Sequence, residues 1–248
     1  MENLFKKYRI YGPKIFLSYA IKEIIRLYNQ LIKGSYSQAG EDLLIDKILG
    51  FKKKGFYIDI GASDPSRFNN TKRFYLKGWC GINVEPNIMT FEKIKKFRSR
   101  DINLNIGLSN NGGLMEYFIF DPQALSTFNE KVAQNYIKQG FKIIKKIKIE
   151  VKSLTEILTK YSNEKEIDFL SIDTEGQDLD ILKSNNWYKF KPKVICVEIQ
   201  TQTAIKYDDY KIEKYLKSVG YIKKFNNNLN AIFIDSYKLT KQSKNPII

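Results

Sequence analysis

Short apolar runs that close on small or acidic residues recur along this chain. They alternate with stretches whose apolar positions return every three to four residues. Phe56-Tyr57-Ile58, followed by Asp59, Gly61 and Ala62, is the first such run. Gly81–Glu85, Ile167–Asp173 and Lys193–Ile199 repeat the form, and Ile102–Leu108 reads as a further strand. A hydrophobic run without polar alternation predicts a strand buried on both faces, as in a parallel sheet. Between the runs, Leu44, Ile45, Ile48 and Leu49, then a segment near Thr71–Lys77, then Ile88, Phe91, Ile94 and Phe97 predict helices. Ile212, Tyr215, Leu216 and Val219 predict another, capped by Gly220. Strand and helix in turn predict an α/β sheet. Tyr221–Phe225 and Asn230–Asp235 flank an asparagine-rich turn and predict a closing hairpin. Residues 110–152 break the alternation. Leu114–Phe120 predicts an extra strand, Asn129–Gln139 a helix, and Lys138–Lys152 carries six lysines against Glu150. This segment is an insertion able to shape a substrate pocket, or a basic surface hairpin.

Residues 1–34 form a basic amphipathic extension ahead of a domain at 35–240, and 241–248 is a polar tail expected to fray. In the extension Pro13 can open a helix, and Leu17, Ile21, Ile24, Ile25, Tyr28, Leu31 and Ile32 repeat at helical spacing. Residues 1–33 hold seven basic residues and two acids, a net of +5. Such a helix can lie peripherally on an anionic membrane. It can equally pack on its own domain or on a second subunit, as in a homodimer.

The strand tips carry the candidate chemistry. In open α/β sheets ligands bind outside the carboxyl ends of the strands. Asp59, Gly61 and Ala62 stand at the first such end, where small residues admit a ligand close to the backbone. Glu85 ends the second strand 26 residues after Asp59, and Pro86 stops the strand there. An acid near that distance binds ribose hydroxyls in dinucleotide-type folds. Asn105, at the end of the third run, would fall near an adenine. Asp173-Thr174-Glu175-Gly176 closes a later strand and Glu198 the next. Paired carboxylates at a strand end are poor core material. A divalent metal shared by these acids is conceivable, but one Asp-x-Glu is a weak metal signal, and no metal is assigned.

Composition narrows the chemistry. The 248 residues contain no histidine, which excludes Ser-His-Asp and Cys-His nucleophilic machinery and imidazole-dependent zinc sites. Cys80 and Cys196, each in or beside an apolar run and without a CxxC, read as buried thiols. The net charge of +15 covers a lysine-rich surface or attracts an acidic partner. No apolar run near the start approaches the ~20 residues that span a bilayer, and charged residues stand where a signal-peptide cleavage site would be. A cytoplasmic protein, with membrane association through residues 1–33 an option, is expected. An RNA-modifying enzyme would need stacking platforms beside the basic face, and none is visible. Nucleic acid is therefore not the expected partner. A nicotinamide oxidoreductase would need GxGxxG after the first strand.

Taken together, Ser37-Gln38-Ala39-Gly40-Glu41-Asp42, Gly55–Ala62, Asn70-Thr71, Phe74-Tyr75, Gly78-Trp79, Gly81–Pro86, Leu125-Ser126-Thr127, Asp168–Gly176 and Pro192–Glu198 resemble the FkbM family of S-adenosylmethionine-dependent methyltransferases. The resemblance covers about residues 35–200. It implies a Rossmann-like class I methyltransferase sheet, mostly parallel, of seven strands with a C-terminal antiparallel hairpin. It further implies S-adenosylmethionine as cofactor and O-methylation of a hydroxyl on a sugar, glycan or related small molecule. Polysaccharide biosynthesis is the matching context. Gln38 and Thr71 are then candidates for the methionine carboxylate end. Asn69 stands where the family carries a serine. A hydroxyl acceptor needs a base, and without histidine Asp173 and Glu175 lead, with Glu198 in reserve. The alternatives are an RNA methyltransferase and a non-catalytic, membrane-associated protein on the same fold.

Overall fold

The computed structural model describes residues 17, 21, 23–199 and 206–237. The tail at 241–248 and most of residues 1–22 lie outside them. Ten strands form two sheets: β1 Phe56–Ile60, β2 Cys80–Val84, β3 Ile102–Leu104, β4 Gly107–Leu108, β5 Gly113–Asp121, β6 Lys142–Lys152, β7 Phe169–Ile172, β8 Val194–Glu198, β9 Tyr221–Asn226 and β10 Asn230–Asp235. The helices are α1 Glu41–Ile48, α2 Lys72–Leu76, α3 Ile88–Phe97, α4 Glu130–Lys138, α5 Leu154–Tyr161, α6 Asp178–Lys183 and α7 Lys206–Ser218.

Seven strands make the main sheet in the order β3-β2-β1-β7-β8-β10-β9. The first five pair in parallel, and β10 runs antiparallel to both β8 and β9. Alternate side chains of each strand feed different cores, as a two-residue period requires. Phe56, Ile58 and Ile60 join Leu170, Ile172 and Val197 under α5, α6 and α7. Tyr57 joins Phe74, Trp79, Phe169 and Ile45 on the opposite face. All five residues of β1 are buried, which explains an apolar run without polar alternation. The strand order reverses between β1 and β7. A crevice opens at such a switch point, beyond the carboxyl ends of the two strands.

The run Ile102–Leu108 is two strands, not one. β3 ends at Leu104 on the main sheet, and Gly107-Leu108 leaves it to pair with β6. The second sheet has the order β4-β6-β5, with β5 and β6 antiparallel over most of their length. The lysine-rich segment is therefore the central strand of this sheet. Phe118 and Phe120 on β5 pack against Val132, Ala133 and Tyr136 of α4. Cys80 and Cys196 are free thiols, the second fully buried. Among the described residues no helix is long and apolar enough to cross a membrane.

Candidate active site

One cavity of about 800 Å³ lies over the switch point. Gln38, Asp59, Gly61, Ala62, Glu85, Pro86, Asp173, Glu175 and Glu198 all line it, so the tips of β1, β2, β7 and β8 face a common space. Gly61 has φ of 76°, and a Cβ there would lie 1.8 Å from the Asp173 carbonyl oxygen. Only glycine fits that closeness of the two strand ends.

The loop from Ser63 to Asn70 walls one side, and Asn69 is its knot. The Asn69 amide donates to Asp59 Oδ2 at 3.1 Å and to the carbonyls of Ala62 and Asp64 at 3.3 and 3.0 Å. Asn69 Oδ1 accepts from the Thr71 N–H, the Thr71 hydroxyl and Arg98 Nη2 at 3.0, 2.9 and 2.6 Å. Arg98 is 1% exposed, and its guanidinium also donates to the Pro65 carbonyl and the Tyr57 hydroxyl. The hydroxyl of Tyr57 in turn donates to Asp101, which accepts from Gly81 N–H and Asn83 as well. A buried cation thus sits between two buried acids, Asp59 and Asp101. It draws both carboxyls down while burial, the larger effect, raises them.

Glu85 is held with both oxygens engaged. Oε2 accepts from the Ser63 N–H and Oε1 from the Asn87 N–H, each at 2.8 Å. Burial pushes its pKa up to about 6 despite these donors. It is a carboxylate at neutral pH, with lone pairs left for hydroxyl donors from the cavity.

Asp173, Glu175 and Glu198 form the far wall. One carboxylate oxygen of each lies within 4.8 Å of the others. That spacing suits a shared proton or a hard cation. Asp173 is accessible from the cavity, yet protein encloses the cavity around it. This enclosure, followed by the charge of Asp178, pushes its pKa up to about 7. Burial and then Asp173 raise Glu198 well above the ordinary carboxylate range. Glu175 adopts a positive φ of 53° and accepts from the Tyr136 hydroxyl of α4. Its carbonyl accepts from Thr127 Oγ1 at 2.8 Å, and the Gly176 carbonyl accepts from Asn129 Nδ2 at 3.1 Å. The Leu125-Ser126-Thr127 motif therefore fixes the acid-bearing loop to the second sheet.

Gln38 is placed by the helix start that follows it. Asp42 Oδ1 accepts from Ser35 and Ser37, and Oδ2 from the Tyr36 N–H. Glu41 accepts from the Ala39 N–H with one oxygen and from Asn227 and Asn230 with the other. The two acids of this motif are buried fasteners of the loop that presents Gln38.

Two residues expected at the cofactor do not line the cavity. Thr71 is fully buried, and its hydroxyl is committed to Asp59 and Asn69. Asn105 donates to the carbonyls of Glu85 and Pro86 at 2.8 and 2.9 Å, behind the second strand tip. Both shore up walls rather than face the space. Arg98 and Tyr136 were not singled out from the sequence, Asn69 was noted only as a departure from the family's serine, and Glu41 and Asp42 were quoted in a motif without a role of their own. The polar residues quoted in the motifs were the one signal that could have found Glu41 and Asp42.

The sequence pattern of the Methyltransferase FkbM domain matches residues 59–223, well over half of the chain. The chain belongs to the FkbM methyltransferase family. Among curated proteins none matches it. A TehB-like SAM-dependent methyltransferase from Corynebacterium glutamicum aligns at 11% identity over 88% of this chain and 98% of its own, with a TM-score of 0.43. Precorrin-6y C5,15-methyltransferase from Geobacter metallireducens aligns at 12% identity over 77% and 85%, with a TM-score of 0.42. Likenesses at that level carry nothing about acceptor or mechanism.

FkbM methyltransferases use S-adenosylmethionine, and the residues present here fit it. Gly61 leaves the backbone bare at the switch point, Glu85 presents a carboxylate for ribose hydroxyls, and the volume suits a nucleoside cofactor with space beyond. The cavity is acidic although the chain carries +15. Six acidic side chains line it against Arg67 and Lys93, and those that are ionised favour a sulfonium cation.

Proposed function

We propose that this FkbM methyltransferase methylates a hydroxyl group on a sugar, glycan or similar small molecule, with Asp173 as the base. The observation that carries the reading is a carboxylate of raised pKa that opens into the same cavity as the cofactor-side residues Gly61 and Glu85. S-adenosylmethionine supplies an activated methyl group and a good leaving group when bound. The chain's part is alignment and proton removal. Glu85 orients the ribose end. Gly61 and Ala62 let the cofactor lie against the backbone, and Gln38 faces the cavity from the opposite loop. Asp173 accepts the acceptor hydroxyl's proton as the oxygen attacks. A pKa near neutrality suits it for that task. Glu198, held above the ordinary carboxylate range by burial and then by Asp173 and Glu175, hydrogen-bonds to Asp173 and draws its carboxyl down. The wall made by Tyr117, Phe128, Leu125 and Phe141 offers apolar surface to the acceptor.

Incubation with isotopically labelled S-adenosylmethionine and candidate sugar nucleotides or glycolipids, read by mass spectrometry, tests the class. Label on a hydroxyl oxygen is expected. Label found on RNA with no sugar product would overturn the reading. A chelator arm separates two uses of the trio: turnover that survives chelation supports proton transfer, and turnover lost and restored by Mg²⁺ supports cation binding instead.

Glu85→Ala is expected to weaken S-adenosylmethionine binding about 10- to 100-fold, because a hydrogen bond to a charged group contributes roughly 1.5–3 kcal/mol. In the wild type, affinity should also fall below a pH of about 6 as Glu85 takes up its proton. Titration calorimetry checks both. Unchanged affinity in the variant would remove Glu85 from the cofactor site.

A further inference from the structure

The helical segment that precedes the domain, residues 23–33 with a π-helical last turn at Asn29–Lys33, is turned with its polar side inward. Asn29 is buried, Arg26 donates to Glu23 and Gln30, and Glu23 approaches Arg67 at 3.0 Å. The other side is apolar and faces out. Leu17, Ile21, Ile24, Ile25, Tyr28, Leu31 and Ile32 are all exposed, Leu31 at 76% and Ile32 at 69%. Their spacing of three and four places them along one stripe of a helix. A stripe meant for the chain's own core would be covered by it, since removal of apolar surface from water is the main driving force of packing. A contiguous apolar stripe left open marks a surface made for a partner or a membrane.

We propose that this face seats the protein peripherally on an anionic lipid bilayer. Charge selects the occupant. Residues 1–33 carry seven basic residues against two acids, on a chain of net charge +15. Two such segments facing each other in a dimer would repel, whereas anionic headgroups attract both the segment and the molecule behind it. Lys33, exposed at the end of the stripe with its ammonium 5.6 Å from the Tyr28 ring, can reach headgroups while its stem and the tyrosine lie at the apolar boundary. Because Arg67 lines the cavity, the Glu23–Arg67 pair connects the lipid-facing segment to the cavity wall. A lipid-borne acceptor would then meet the active site without leaving the surface.

Vesicle flotation with the full chain tests this. Vesicles of phosphatidylcholine with phosphatidylglycerol should float the protein, and phosphatidylcholine alone or high salt should reduce binding at least about tenfold. The combined Ile24→Ser, Leu31→Ser and Ile32→Ser variant should lose at least about tenfold in vesicle affinity, since three buried apolar contacts are removed. Its calorimetric affinity for S-adenosylmethionine should stay unchanged, which shows it folded. Failure of the wild type to bind phosphatidylglycerol vesicles, or wild-type binding by the variant, would overturn the proposal. So would a stable wild-type dimer in sedimentation equilibrium that the variant dissociates, with no vesicle binding by either.

Discussion

Asp173→Asn should lower turnover by about 10²- to 10⁴-fold, the range typical of a lost general base, while S-adenosylmethionine binding stays within a few-fold of wild type. The amide keeps the shape and the neighbours but cannot accept the acceptor's proton. In the wild type, turnover should rise with pH through about 7 as Asp173 ionises, and the variant's residual rate should lose that rise. Rates of labelled methyl transfer across pH 5–9 give both readings. Turnover equal to wild type in the variant would end the assignment. The same substitution has a stability consequence of opposite sign. A carboxyl whose folded pKa is raised binds its proton more tightly folded than unfolded, so stability falls as pH rises from about 4 to about 7. The variant escapes that loss. It should be more stable than wild type at pH 8 by about 1–2 kcal/mol, a figure discounted because water reaches Asp173 from the cavity. At pH 4 the two should match. Urea unfolding at the two pH values reads the difference.

Arg98→Met should cost about 3–5 kcal/mol of folding stability, the usual penalty for removing one partner from a buried charged network. The guanidinium holds Asn69, Pro65 and Tyr57 at once, and its loss leaves Asp59 and Asp101 buried without the cation between them. The loop from Ser63 to Asn70 loses its floor. Cofactor affinity should therefore fall along with stability although Arg98 itself is not among the cavity-lining residues. A variant that unfolds at wild-type urea concentrations would show that Asn69 and Thr71 secure the loop without it.

The strands were legible because a two-faced burial leaves a mostly apolar run, broken only by Asp59 in Phe56–Ile60 and by Ser171 in Phe169–Ile172. The acids at the strand ends were legible because carboxylates in such places have no use in a core. What failed to show was anything decided by loop geometry. Thr71 and Asn105 sit close to the strand tips along the chain, yet a turn of the backbone points each at a wall. Ile102–Leu108 has a single apolar pattern, and nothing local marks where it changes sheets. Arg98 and Asp101 occur in the sequence Arg-Ser-Arg-Asp, which has the composition of a solvated turn, and only the fold shows two of the three charges to be buried supports. The apolar stripe at residues 17–32 was plain, but amphipathicity alone does not say which side meets the domain.

The clasp between Glu41 and the last hairpin sets an order on biosynthesis. Its partners, Asn227 and Asn230, lie 186 and 189 residues further along. A chain still emerging from the ribosome keeps the local bonds of Glu41 and Asp42 but lacks the two amide donors to Glu41 Oε1, so the segment bearing Gln38 is not yet clasped to the sheet. Closing so long a loop is entropically slow. With Gln38 placed at the cofactor as proposed, a fragment shortened by its final two strands should bind the methyl donor more weakly than the full chain.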